Sequence, residues 1–155
     1  MSNPEKSFGS RITAIIQAYG AGPEVGMPSR DTWARLAEIS PDQPVTLVNF
    51  FKMRDRAYYP AAFVDDDVDV DGETAFNRYA SVSMPSLEKV GGRFLLVSPF
   101  GETFIGSIEN WDLVAVGAYP GPGSIISLFE LPEYRQAYVH RTAACATQRV
   151  SLCMG

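Results

Sequence analysis

The run Val45 to Met53, VTLVNFFKM, limits the folds open to this chain more than any other stretch. It is built from β-branched and aromatic residues and is too apolar for either face to meet water, so it reads as an interior strand of a sheet covered on both sides. The next regular pattern is a helical stripe, Phe76, Tyr79, Ala80, Ser83, Leu87 and Val90, ended by Gly91 and Gly92 and expected to kink or split at Pro85. RFLLVSPF, TFIGSIE and WDLVAVGAYP then read as a β-meander. GSIISLFE reads as a short helix, PEYRQAYVHRTAACA as a longer one with Pro132 as its first residue, and TQRVSLCM as a last strand. The order β-α-β-β-α-β is an α+β, ferredoxin-like split unit: an antiparallel sheet with strands one and three at its centre and two helices on one face. The opposite face also needs cover, and a second copy of the chain is the simplest source, so a homodimer is expected.

The chain of 155 residues is long enough for one domain with a real core. Residues 44–155 carry the split unit, and residues 1–43 read as an N-terminal helical extension. Ile12, Ile15, Ile16 and Tyr19 form one amphipathic stripe, and after the break GAGPEVGMP, Ser29 is placed to cap a second helix whose Trp33, Leu36 and Ala37 share a face.

The formal net charge of -5 comes from 13 basic and 18 acidic residues, but six acids fall between Asp65 and Glu73. Without that stretch the balance is 13 minus 12, or +1, so the acidity is local and no basic face suited to nucleic acid is present. No segment is long and apolar enough to cross a membrane, no leader pattern opens the chain, and a cytoplasmic protein is expected. Cys145 and Cys153 form no CxxC motif and read as reduced thiols.

Asp67, Asp69, Asp71 and Gly72 spell the opening of a calcium loop, D-x-D-x-D-G. Its twelfth position, where a bidentate Glu is needed, is Arg78, and the preceding segment carries Pro60 and no helical stripe. Asp71 is better read as a helix N-cap, with Glu73 in the first turn favoured by the helix dipole. HExxH, GxSxG, phosphate-loop and dinucleotide fingerprints are absent from the sequence, so neither a metal nor a cofactor is expected.

Taken together, PVTLVNFFKMR, AYYP, GETAFNRYA, GGRFL, WDLVAVGAYP, PEYRQAYVHRTAA and the last strand, in this order, resemble the bacterial family called domain of unknown function 1330, within the dimeric α/β barrel superfamily. The resemblance runs from about Ser29 to Val150. It implies a ferredoxin-like protomer paired with a second copy into a barrel, with a small-ligand pocket between sheet and helices, and it implies no particular reaction.

Within that frame a few residues carry chemistry. His140, the only histidine, borders the stripe Tyr134, Ala137, Tyr138 and Arg141 and is the natural acid or base of a reaction. Arg141 is placed to hold a substrate carboxylate in a bidentate grip. Asn49 interrupts the apolar strand and Tyr79 falls on a core stripe, so each needs a hydrogen-bond partner and each is a candidate pocket group. Trp111 is a candidate pocket wall and Asp112 a candidate orienter of His140 or Arg93. Arg54, Tyr58 and Tyr59 in the long loop are candidates for a lid. Two readings stay open: a cofactor-independent enzyme acting on a small aromatic or acidic molecule with His140 as proton-transfer group, and a ligand-binding or structural dimer in which the same residues only satisfy hydrogen bonds.

Overall fold

The computed structural model describes residues 7–155; the first six residues of the expected extension lie outside the described residues. The elements are helices α1 (Phe8–Tyr19), α2 (Arg30–Glu38), α3 (Gly72–Lys89), α4 (Pro122–Glu130) and α5 (Pro132–Ala144), and strands β1 (Val45–Met53), β2 (Arg93–Pro99), β3 (Leu113–Tyr119) and β4 (Cys145–Cys153). All strand pairs are antiparallel in the order β2-β3-β1-β4, so β1 and β3 lie at the centre as the apolar run demanded. With α3 and α5 as the two connecting helices, this is the ferredoxin-like arrangement of an α+β fold.

Side chains alternate across the sheet. Val45, Leu47, Asn49 and Phe51 of β1 point to the side where Val45 and Phe51 join the core beneath the helices. Val48 and Phe50 point to the other side, with Val114 and Val116 of β3, and no described element covers that outer face completely.

Local chemistry sets the helix ends. Ser29 Oγ accepts from the Thr32 amide at 3.1 Å and Asp71 Oδ1 from the Thr74 amide at 2.7 Å, each capping an orphan donor. Pro132 opens α5, where its missing N–H costs nothing. Pro85 does not split α3; it lies on the exposed side, where water can take the carbonyl that its ring leaves without a donor.

α1 and α2 belong to the same hydrophobic cluster as the sheet and α3. Arg11 binds Glu130 through Nε (2.9 Å) and Nη2 (2.6 Å), the Tyr19 hydroxyl donates to the Phe129 carbonyl at 2.7 Å, and Trp33 meets the Phe129 ring edge-on at 5.4 Å. The turn between α1 and α2 is held by Tyr138, whose hydroxyl donates to the Gly26 carbonyl at 2.8 Å.

The expected middle strand of the meander does not form. Residues 103–109 lie outside every strand, Gly106 sits at φ +111°, and Phe104, Ile105 and Ile108 are 92%, 87% and 86% exposed. An apolar pattern alone does not make a strand when no neighbouring edge supplies hydrogen bonds. Trp111 and Asp112 likewise precede β3 rather than opening it.

The close approach at the start of α3 gives a test. A Cβ at Gly72 would run into the Arg54 carbonyl oxygen and lie 2.8 Å from the Arg54 nitrogen, both backbone atoms, whereas a Cβ at Gly101 meets nothing within 4 Å. Gly72→Ala is therefore expected to lower stability by about 1–3 kcal/mol and Gly101→Ala to leave it nearly unchanged, read from urea denaturation midpoints. Equal midpoints for the two variants would show that the loop start yields freely.

Candidate functional site

Between the helix-facing side of the sheet and the helices lies a cavity of about 790 Å³. Leu47, Asn49 and Phe51 line it from β1, Gln148 and Val150 from β4, and Trp33 from α2. From the helices come Tyr79, Tyr134, Tyr138 and Arg141.

Arg141 is the dominant group. It is 7% exposed, and among the described residues no Asp or Glu forms an ion pair with it. Its Nε and Nη2 donate to Gln148 Oε1 at 3.0 and 2.7 Å, and Nη1 donates to the Tyr79 hydroxyl at 2.9 Å. The Tyr79 and Tyr134 hydroxyls share a hydrogen bond of 2.8 Å. The cation also lies over the Phe51, Tyr138 and Tyr79 rings at 4.9, 5.2 and 5.4 Å, an electrostatic attraction that partly replaces lost water. Burial works against its charged form, yet the surrounding Tyr138, Tyr79 and Tyr134 hydroxyls hold its pKa well above the ordinary value, so Arg141 remains cationic. A guanidinium has five N–H groups, and these three bonds leave two uncommitted.

Two of the tyrosines around it, Tyr138 and Tyr134, are held in their neutral form by burial. Burial pushes the Tyr138 hydroxyl up to about 12 and the Tyr134 hydroxyl well above its usual value. Trp33 adds a different feature: its Nε1–H is buried without a partner among the described residues, which costs stability in a protein that gains nothing from it.

Asn49 uses its Nδ2 on the sheet, donating to the Ala115 carbonyl at 3.0 Å and the Leu47 carbonyl at 3.4 Å. Its Oδ1 accepts no hydrogen bond from the described residues. Tyr79, Arg141 and Asn49 therefore line one cavity.

The other three residues singled out by sequence lie elsewhere. His140 does not line the cavity; its Nδ1 lies 2.7 Å from the Tyr59 hydroxyl, and its ring is packed edge-on against Tyr59 and Phe63, each 5.5 Å away. Arg78 Nη1 donates to the same hydroxyl at 3.1 Å, so one phenolic oxygen joins the arginine to the imidazole. Trp111 stacks obliquely on Phe50, on the outer side of the sheet, and its Nε1 donates to Glu109 at 2.8 Å. Asp112 neither touches His140 nor pairs with Arg93; it accepts from the Met53 amide at 2.7 Å and from Lys52 Nζ at 3.3 Å, closing the end of β1. In the lid segment, Arg54 lines the cavity, but its amide and that of Tyr58 are tied to the Ala144 and Ala143 carbonyls, and the Tyr58 side chain is exposed.

The acidic loop is organised by arginines. Arg78 donates to the Asp67 carbonyl at 2.7 Å and pairs with Asp66 at 3.4 Å, while Arg56 pairs with Asp69 at 2.5 Å. The twelfth position of the apparent calcium motif thus delivers the positive charge itself.

Gln148, which holds Arg141, escaped sequence reasoning. Its signal was available: Gln148, Val150 and Leu152 alternate, so a polar residue begins the cavity-facing row of β4 just as Asn49 interrupts that of β1.

The His140 contact has a pH signature. Burial first, and then the nearby Arg78, hold its pKa below the ordinary 6.5, with Asp66 opposing. The unfolded chain therefore takes up a proton near pH 6.5 that the folded chain refuses, so stability falls as pH drops below 6.5 and the loss levels off once the folded imidazole is protonated too. Comparing urea midpoints at pH 7.5 and 5.5, the decrease should be smaller for His140→Gln than for the wild type. An equal decrease would assign the acid sensitivity to the carboxylates.

No family model matches the chain, and no curated protein matches it. Among solved structures, it is similar to RPA0582 of Rhodopseudomonas palustris, described as a protein of unknown function, with 28% identity over 83% of this chain and 94% of that one at a TM-score of 0.72. The methylated form of RPA0582 matches at 27% identity over 83% and 92% of the two chains, again with a TM-score of 0.72. A protein from Bacteroides fragilis, described as dimeric, of unknown function and of ferredoxin-like fold, matches at 13% identity over 72% of this chain and 96% of that one, with a TM-score of 0.44. The chain, whose ferredoxin-like arrangement rests on its own strand order and connecting helices, is similar to proteins whose function is unassigned.

Proposed function

We propose that the protein binds a small organic carboxylate in the cavity between sheet and helices, with Arg141 as its counter-ion. The observation that carries this reading is a buried guanidinium on the cavity wall with no acidic partner among the described residues and two N–H groups uncommitted. A charge removed from water is costly unless an opposite charge meets it. The two free N–H groups, one on each terminal nitrogen, are donors of the kind that form short charge-assisted bonds to carboxylate oxygens. The apolar and aromatic lining suits the rest of such a molecule, and the volume is that of an ordinary small-ligand pocket. His140, committed to Tyr59 outside the cavity, has no part in this reading, which is one of binding.

The test is calorimetric. A panel of benzoate, phenylacetate and hexanoate, each beside its neutral amide, is titrated into wild type and Arg141→Met. The carboxylates should bind wild type more tightly than their amides, and the variant should lose on the order of 30-fold in carboxylate affinity, about 2 kcal/mol. Replacing a buried charge by an apolar group of similar length is often neutral for folding, so the variant should stay folded. Amides that bind as well as the acids would remove Arg141 from the role.

We propose in addition, from a separate feature, that the molecule is a homodimer through the outer face of the sheet. Val48, Phe50, Val114 and Val116 form an apolar centre there that the chain leaves half-covered, with Leu96 at its edge exposed. Light scattering during size exclusion should give twice the chain mass, and Val116→Glu should give the single mass; a monomeric wild type would end the proposal.

A further inference from the structure

Resting on the reading of the outer sheet face as a homodimer interface, we infer that residues 103–109 form an arm whose apolar tip, Phe104, Ile105 and Ile108, docks on a second copy of this chain. The three side chains are 92%, 87% and 86% exposed, and every residue from Phe104 to Asn110 is exposed. Apolar residues scattered singly over a surface need no explanation, but three grouped in one short loop mark an interaction site.

The loop is held in shape at its neck and nowhere else. Thr103 Oγ1 accepts from the Glu109 amide at 2.9 Å, while residues 101–110 make no backbone–backbone hydrogen bond among the described residues. The neck is fastened to the outer sheet face. Glu109 Oε1 accepts from Trp111 Nε1 and from Arg149 Nη2, each at 2.8 Å, and the Arg149 guanidinium lies over the Phe50 and Trp111 rings at 4.4 and 5.8 Å. Phe50 stands across from Val114 in the apolar centre of that face. The arm therefore starts on the surface that a second copy covers, and a two-fold axis through that surface supplies a second arm from the other side.

Charge narrows the choice of partner. From Pro99 to Asp112 the chain carries Glu102, Glu109 and Asp112 and no lysine or arginine, and the base at the neck, Arg149, is already paired with Glu109. Anionic headgroups and nucleic-acid phosphates would be repelled by such a loop. An uncharged apolar tip suits an apolar protein surface, and the outer face provides one: Val48, Val114 and Val116 are half-buried, and Leu96, paired with Val116, is 49% exposed. The area fits as well. A buried phenylalanine hides about 150–250 Å², so with two isoleucines one arm brings roughly 450 Å² and a symmetric pair of arms about 900 Å². That is about half of the roughly 1,600 Å² hidden in a stable interface, which leaves only the remainder to the apolar centre of the sheet.

The experiment measures association by sedimentation velocity. Wild type should be a dimer, and Phe104→Ser/Ile105→Ser/Ile108→Ser should raise the dimer dissociation constant on the order of 100-fold. Ser107→Ala, a control in the same loop, should leave it unchanged. The triple variant alters only side chains that stand in water, so its far-UV circular dichroism should match wild type. A second measurement leaves the tip aromatic: p-benzoylphenylalanine in place of Phe104 should give a covalent dimer on irradiation. If the triple variant dimerises as tightly as wild type, or if the photoproduct stays within one chain, the arm is overturned while the dimer through the sheet, tested by Val116→Glu, survives. If wild type sediments with phosphatidylcholine vesicles and the triple variant does not, a membrane is the partner and the inference is overturned. A monomeric wild type removes the arm and the outer-face dimer together.

Discussion

The guanidinium of Arg141 is the point on which the interior of this molecule turns. It joins the last helix to the last strand through Gln148 and to α3 through Tyr79, and its charge is spread over the faces of Phe51, Tyr79 and Tyr138. Such contacts satisfy geometry better than charge. Neutral acceptors and aromatic faces offset only part of the desolvation of a cation, and a hydrophobic residue of similar size in the same place is often no less stable. A buried arginine without an acid is therefore a poor stabilising device. It is more readily understood as a group whose partner arrives from outside.

The surface handles charge in the opposite way. The acids of residues 65–69 are met by Arg56 and Arg78, half or fully in water, and the pairing brings little stability beyond fixing the path of the chain. Arg78 then reaches inward to the Tyr59 hydroxyl, so one side chain orders the acidic loop and positions the partner of His140. The half-buried imidazole is spent on this contact. That is why the one side chain with a pKa near neutrality, the obvious first choice for proton transfer, lies outside the cavity while its neighbour Arg141 enters it. Adjacent positions on a helix point about 100° apart, and here that rotation separates a loop anchor from a pocket wall.

Features carried by local periodicity were legible in the sequence. The interior strand, the caps at Ser29 and Asp71, Pro132 at a helix start and the buried stripes of α3 and α5 all follow from short-range chemistry. Asn49, Tyr79 and Arg141 were legible for the same reason: each is a polar group at a position whose periodicity demands burial. His140, Trp111 and Asp112 were not, because their surroundings depend on where the loop of residues 54–71 crosses α5 and on which side of the sheet Phe50 faces. Residues 103–109 show the limit of pattern reading most plainly, since TFIGSI has the composition of a strand but lacks an edge to pair with. Its Phe104, Ile105 and Ile108 are left almost fully exposed.

One constraint underlies both faces of the sheet. A strand in the middle of an antiparallel sheet cannot leave its backbone for a ligand, because every amide and carbonyl is already paired with a neighbour. A site built on β1 must therefore be made of side chains, and on an apolar strand each polar side chain is a local cost. Asn49 meets half of that cost by tying its Nδ2 to the sheet, which leaves the other half of the amide, Oδ1, as the part not explained by folding. Leu or Val at this position would serve the fold as well and would need no partner at all. The same reasoning applied to Arg141 leaves two N–H groups over. What the fold does not use, an acceptor and two donors on the wall of one cavity, is the strongest description that the chain gives of its ligand.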